Sequence, residues 1–221
     1  RRPRHRRSPT GDLLAAHAMG VRNVFVVMGD PTAIGDYPDA MDNYDLVPSG
    51  LIKLIKQGFN TGVDYAGTDI GQPTSFFAGC ALNLNPADPA EEIKNVRRKL
   101  RAGADFVLTQ PIYDLRHAVD FLNRYRDEAG QFPVPILAGI LPLASGRHAS
   151  FLHHEVPGID IPESVLKRMN GAGENGLAEG RKIAIELIEQ LKSLVQGIYL
   201  MPAFNRFDVA AEIIESIKKD G

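Results

Sequence analysis

At 221 residues, 44% of them hydrophobic and 24% charged, the chain has the composition of a soluble globular protein with room for one substantial core. Its formal charge of -2 excludes a general polyanion binder, and the single cysteine, Cys80, excludes an intramolecular disulfide and a multi-thiolate zinc site. No window approaches the roughly 18 apolar residues that span a bilayer, the N-terminus lacks the apolar core of a secretory signal, and a cytoplasmic protein is expected.

Residues 1–9 carry five arginines and no large apolar side chain, the pattern of a disordered basic arm or of an artefact replacing native sequence. No aromatic residue interleaves the arginines, and nucleic acid is not the expected partner. A helix opens at Thr10, with Leu13, Leu14 and His17 on one side and Gly20 as its stop. Asn23–Met28 follows as an apolar, largely β-branched run that suits a strand buried on both faces of a parallel sheet. The run ends at Gly29-Asp30-Pro31, so Asp30 sits where a strand hands over to a loop. A carboxylate there either caps the turn or meets a cationic ligand.

The stretch Pro31–Pro48 is long for a connection and reads as a ligand loop or lid. Residues 50–56 have helical spacing, started by Pro48 or Ser49. A second buried strand spans Ser75–Leu82, where Gly79 and Ala81 leave room for a ligand or a neighbouring helix to approach the backbone. Asp88, Pro89 and Glu91 have the N-cap, first-turn proline and capping-box spacing of a helix start. Ile93, Val96 and Leu100 form that helix's apolar stripe; Glu92, Asn95 and Lys99 recur on another face, with Arg98 beside them. Such a polar stripe is either solvated surface or, through its two cations, a phosphate contact.

Phe106–Thr109 repeats the opening pattern of an apolar strand, a polar exit at Gln110 and a proline at 111. The helix after it places Ala118, Phe121, Leu122 and Tyr125 on one face, and the next strand, Val134–Ile140, closes on Pro142. Short helices are expected over residues 148–154 and from Pro162 to Asn170-Gly171. His153 and His154 are adjacent and cannot chelate as an i, i+4 pair would, so they read as surface histidines. Glu179–Val195 is amphipathic, with Ala184, Leu187, Ile188, Leu191 and Val195 on its apolar face. The last strand, Ile198–Met201, leads through Pro202-Ala203-Phe204-Asn205-Arg206 into a helix capped by Asn205 or Asp208.

Five strands alternating with helices give an α/β fold with a parallel sheet, and polar residues at proline-terminated exits favour a (β/α)₈ TIM barrel over an open sheet. Such a barrel needs eight strands and typically about 250 residues. The expectation is therefore an incomplete, C-terminal portion of a barrel over residues 10–221, with Asp30 and Gln110 projecting into one shared pocket.

The succession Gly29-Asp30-Pro31, Asp69-Ile70-Gly71-Gln72-Pro73-Thr74-Ser75-Phe76-Phe77, Arg97-Arg98-Lys99-Leu100-Arg101-Ala102-Gly103-Ala104-Asp105, Thr109-Gln110 and Gly139-Ile140-Leu141-Pro142 resembles the methylenetetrahydrofolate reductase family. The resemblance runs from residue 12 to about 215 and is nearest to the reductase half of bacterial proteins that join a homocysteine methyltransferase to the reductase. It implies a TIM-barrel flavoenzyme of one-carbon and methionine metabolism. In that family NADH or NADPH reduces FAD, and the reduced flavin passes a hydride to 5,10-methylenetetrahydrofolate, giving 5-methyltetrahydrofolate. Homo-oligomers are compatible with it.

By that resemblance Asp30 lies near flavin and folate, where a carboxylate stabilises the iminium cation formed as the folate ring opens. Gln110 and Arg206 contact folate or nicotinamide, and Lys99 serves substrate and cofactor. Glu92, Asn95, Arg98 and Lys99 match the FAD-binding helix, the two cations suiting the diphosphate. Met28, Gly29 and Asn85 stand at further flavin positions, with Met28 where many members carry Arg and Asn85 where His is common. The family's general-acid glutamate, on the first strand, has no counterpart in this sequence, so turnover is expected to be impaired. The alternatives are a non-catalytic barrel remnant or interaction module, and another TIM-barrel enzyme that binds a phosphorylated ligand.

Overall fold

A computed structural model of the chain describes residues 9–29 and 46–219. Asp30, the ligand loop up to residue 45 and the arginine cluster of residues 1–8 lie outside the described residues. The chain divides into two compact units, Arg1–Ala81 with Lys94–Phe106, and Leu82–Ile93 with Val107–Gly221. The elements alternate through five strands and eight α-helices among the described residues, the βα repeat of a (β/α)₈ barrel carried five times.

In the first unit helix α1 (Pro9–Ala18) precedes strand β1 (Asn23–Val26), which pairs in parallel with β2 (Phe77–Leu82), Asn23 opposite Phe77 and Val26 opposite Cys80. Between them α2 (Pro48–Lys53) runs on as a π-helical turn, Leu54–Gly58, and a 3-10 turn, Phe59–Thr61. The helical stretch is therefore longer than its apolar spacing suggested. Ile52, Ile55, Phe59 and Phe76 are fully buried and make the core of this unit with Ala78, Cys80 and Val96.

Asn60 fixes the approach to β2. Its Oδ1 accepts from Thr74 Oγ1 (2.7 Å) and Phe76 N (2.9 Å), and its Nδ2 donates to Phe76 O (2.9 Å). Lys56 spans the unit to Asp105, with Nζ 2.8 and 2.9 Å from the two carboxylate oxygens, and Asp105 Oδ2 also accepts from Ala78 N at 2.7 Å.

Two expectations are corrected in this unit. The first strand is not buried on both faces: it ends at Val26, and Val27 and Met28 are 54% and 53% exposed. Among the described residues β1 pairs along one edge only, and Phe25, on the sheet face it shares with Phe77, is about half exposed, as Phe77 is. The space over Gly79 is taken by neither ligand nor helix. A Cβ there would stand 2.3 Å from the ring of Phe106, which stacks on Phe77 with centroids 5.3 Å apart.

In the second unit strands β3 (Phe106–Pro111), β4 (Ile136–Ile140) and β5 (Gly197–Leu200) pair in parallel and in chain order. Helix α3 (Pro89–Ala102) begins here with Asp88 Oδ1 accepting from Glu91 N at 3.1 Å, the cap its sequence signals. Helix α4 (Leu115–Ala129) is capped by Asp114 and α5 (Gly146–Glu155) by Ser145; α6 (Glu163–Gly171), α7 (Gly176–Leu191) and α8 (Phe207–Lys219) follow. Helix α7 is the hub, packing on α4, α6, α8 and β4. Gly176 and Gly180 let it approach the segment after β4 so closely that a Cβ at 180 would lie 1.8 Å from Leu143 O. No helix among the described residues is long and apolar enough to cross a membrane.

Candidate functional site

In parallel α/β folds ligands bind at the carboxyl ends of the strands, because the loops there are free to vary and helix N-termini face the same way. In the second unit that rim begins where β2 ends. Asn83 N donates to Glu92 Oε1 at 3.0 Å, and Asn83 Oδ1 accepts from Asn85 N at 2.8 Å, folding the Asn83-Leu84-Asn85 turn back on the start of α3. Glu92, expected on a cofactor-facing stripe, therefore already uses one carboxylate oxygen to hold a strand exit.

At the end of β3 the side chain of Gln110 is exposed and borders a small cleft with Asn83, Asn85, Tyr113, His117 and Asp160. The structure thus brings together two residues expected in the site, Gln110 and Asn85. The cleft holds about 20 Å³, room for one water, so a ligand at Gln110 would lie on the rim and not inside it. Tyr113 closes the floor by donating its hydroxyl to Leu141 O at 2.7 Å, and burial pushes its phenol well above the usual range.

Arg206 follows β5. Its guanidinium forms a two-pronged pair with Asp208, Nε 2.9 Å from Oδ1 and Nη2 2.5 Å from Oδ2, and this partner lowers the Asp208 carboxyl to about 2. The residues just before it, Phe204 and Asn205, are both left-handed (φ 55° and 56°), a conformation costing about 1–2 kcal/mol for a residue with a Cβ. Phe204 is 71% exposed, with its ring edge-on to His148 on α5 at 5.0 Å. His148 Nδ1 accepts from Ala144 N at 3.2 Å, which requires that nitrogen to be unprotonated, and burial favours this by lowering the pKa.

In the first unit Asn95 accepts from the Arg98 guanidinium, and Lys99 Nζ donates to Ala81 O at 2.8 Å. Met28 and Gly29 lie just past β1, Met28 half exposed. The donor set suits a diphosphate. Arg98 and Lys99 are adjacent cations, and an ammonium that gives one N–H to Ala81 O retains two more.

Sequence reasoning missed Asn83, Thr109, His148, Tyr199 and Phe204. Asn83 carried a detectable signal in its Asn-x-Asn spacing after a strand. The others depend on strand register and backbone conformation. His153 is also more than a surface histidine: its Nδ1 accepts from Ile161 N at 3.1 Å and stands 3.4 Å from Asp160 Oδ1, anchoring the α5–α6 connection. No group of three or more metal-ligating side chains occurs among the described residues. A larger open groove, about 780 Å³ among α4, α6 and α7, contains none of the expected site residues and is crossed by Arg168, which bonds Glu186 and lowers its pKa.

The sequence profile described as methylenetetrahydrofolate reductase matches residues 4–218. Among curated proteins, methylenetetrahydrofolate reductase 1 of Schizosaccharomyces pombe is 27% identical over 191 residues, covering 84% of this chain and 29% of the relative. Methylenetetrahydrofolate reductase 2 of Saccharomyces cerevisiae is 29% identical over 162 residues (70% and 24%), and methylenetetrahydrofolate reductase (NADH) 1 of Arabidopsis thaliana is 28% identical over 151 (62% and 24%). The chain spans less than a third of the length of these relatives. Among solved structures, an uncharacterized protein from Clostridium thermocellum that binds two copies of 5-methyl-5,6,7,8-tetrahydrofolic acid has a similar fold. The TM-score is 0.50 at 19% identity, over 66% of this chain and 55% of that one.

Proposed function

This chain belongs to the methylenetetrahydrofolate reductase family, and we propose that it carries strand-exit residues with which an FAD-dependent reductase binds its folate and reduces 5,10-methylenetetrahydrofolate to 5-methyltetrahydrofolate. The observation that carries the reading is the exposed amide of Gln110 at the end of β3, beside Asn85. A pterin ring offers both donors and acceptors, and a primary amide can answer both at once. Support for a folate ligand also comes from the Clostridium thermocellum protein, whose ligand is 5-methyltetrahydrofolate. The plant relative is named for NADH, which favours NADH over NADPH as donor.

FAD, when bound, supplies the hydride relay between nicotinamide and folate. The residues assigned to it are Met28, Gly29, Asn95, Arg98 and Lys99 in the first unit, and Asn85 and Glu92 in the second. Arg98 and Lys99 neutralise phosphate charge, and Lys99 is also assigned to substrate. Gln110 orients the folate or nicotinamide ring. Arg206, held by Asp208, presents a fixed guanidinium to the same ligands. Asp30, by its place after β1, is assigned to stabilising positive charge on the folate. The protein acts in the cytoplasm on a small molecule and needs neither nucleic acid nor membrane.

Mixing the purified chain with FAD and removing free flavin tests the cofactor reading: retained yellow absorbance is expected, and a colourless protein refutes it. With flavin retained, NADH oxidation by menadione separates turnover from binding alone. Binding without turnover is the second reading, and the exposed apolar side chains Phe25, Val27 and Phe77 of the first unit favour it, since they suit association more than catalysis.

A further inference from the structure

The β3–β4 ladder breaks where Gln110 begins. Val107 and Leu108 pair with Ile136 and Leu137, but the next partner of Gly139 is Pro111, so three steps along β3 answer two along β4. The extra residue makes a β-bulge, a device that bends a strand and re-aims a side chain. Within the bulge Gly139 N donates to Thr109 Oγ1 at 2.9 Å, and that same hydroxyl donates to Gln110 O at 2.7 Å. Backbone pairing resumes with Ile112 N on Gly139 O at 3.1 Å. Thr109 is buried, and its hydroxyl has one donor and two acceptor sites, enough for both bonds.

The third strand closes the arrangement. Tyr199, in register with Gly139, donates its hydroxyl to Thr109 O at 2.5 Å. Burial raises the phenol's pKa, which keeps that donor protonated. Only glycine fits between them, because a Cβ at 139 would lie 2.8 Å from Thr109 O and 3.0 Å from Tyr199 Oη.

We propose that Thr109, Gly139 and Tyr199 are positioning residues that hold the bulge and thereby set the direction in which Gln110 meets its ligand. The hydroxyl of Thr109 grips the carbonyl of Gln110 and so fixes the peptide plane from which its side chain departs. The phenol of Tyr199 grips the preceding carbonyl, leaving the bulged pair no freedom to slide back into an ordinary ladder. The inference rests on the reading that Gln110 hydrogen-bonds the folate.

A double-mutant cycle in the full chain tests it, with 5-methyltetrahydrofolate as the titrant. Tyr199→Phe and Thr109→Val are each expected to weaken binding about three- to tenfold, the worth of one misdirected hydrogen bond. Thr109→Ser, which keeps the hydroxyl, should restore it. In a Gln110→Ala background the same two substitutions should lose their effect, because they act through Gln110. Equal losses in both backgrounds, or unchanged affinity in the folded single variants, overturn the proposal. Should Thr109→Val fail to fold, Tyr199→Phe carries the cycle.

If wild type and Gln110→Ala bind folate equally, the folate reading of Gln110 fails on its own. The lock is then judged by the side-chain amide resonances of Gln110 in the free protein, which Tyr199→Phe should shift or broaden; unchanged resonances overturn it.

Discussion

Replacing Gly180 with alanine should destabilise this protein, although the same change in an open helix stabilises. In a helix interior alanine is favoured over glycine by about 0.8–1.0 kcal/mol. Gly180 lies in α7, where the new Cβ would stand 1.8 Å from Leu143 O and 2.7 Å from the carbonyl carbon, both backbone atoms that cannot rotate away. An ordinary contact begins at 3.4 Å, so the helix or the segment after β4 must move. Overpacking of that kind costs about 1–3 kcal/mol. Set against the propensity gain, the net effect is a loss of up to about 2 kcal/mol, which lowers Tm by up to about 4–8 °C for a chain of this size. Gly171, at the end of α6, is the control, since its Cβ would meet nothing within 4 Å. Thermal unfolding followed by circular dichroism should show Gly180→Ala falling and Gly171→Ala level or rising. If Gly180→Ala unfolds no earlier than Gly171→Ala, the close approach of α7 to residue 143 is wrong, and with it the placement of the rim beyond β4.

Gly79→Ala should destabilise by collision with the Phe106 ring, and Phe106→Ala in the same chain should recover part of the loss, read as Tm of the double against the single variants. Lys56→Met leaves the Asp105 carboxylate, 22% exposed, without its cation and should cost about 1–3 kcal/mol in urea denaturation; Asp105→Asn, which can still accept from Ala78 N, should cost less. The lowered His148 pKa means that the unfolded chain binds more protons below 6.5, so stability falls as pH drops through that range. His148→Asn keeps an acceptor for Ala144 N and should flatten that dependence in a Tm-versus-pH series. Asp208, held to about 2 by Arg206, contributes stability above its ordinary 3.8 that is lost as pH falls toward 2, and Asp208→Asn should remove that acid limb.

The alternation of strand and helix was legible because it is written in residue type. Strand runs such as Phe106–Thr109 and Val134–Ile140 are apolar and bounded by proline, and the Asp88-Pro89 start of α3 obeys capping chemistry that needs no tertiary context. Family membership was legible in the same way, through short motifs. Exposure was not: Val27 and Met28 read as buried from composition alone, and only pairing decides which face of a strand is covered. The polar stripe on α3 was found, yet the bond from Asn83 N to Glu92 was invisible, because it joins residues nine apart through a turn whose path no propensity dictates. The bulge at Thr109 escaped for a sharper reason. It is a property of register between two strands, created when a side-chain hydroxyl takes the place of a backbone carbonyl, and β3 alone reads as a regular strand ending one residue before Gln110. The left-handed pair Phe204-Asn205 likewise carries no glycine to announce it.

The central claim, that this chain presents a folate through Gln110 at the end of β3, is tested most directly by titrating 5-methyltetrahydrofolate into the FAD-treated protein and into its Gln110→Ala variant by calorimetry. Saturable binding by the wild type that weakens about three- to tenfold in the variant is the predicted result; no binding by a folded wild type, or identical affinity in both, contradicts it.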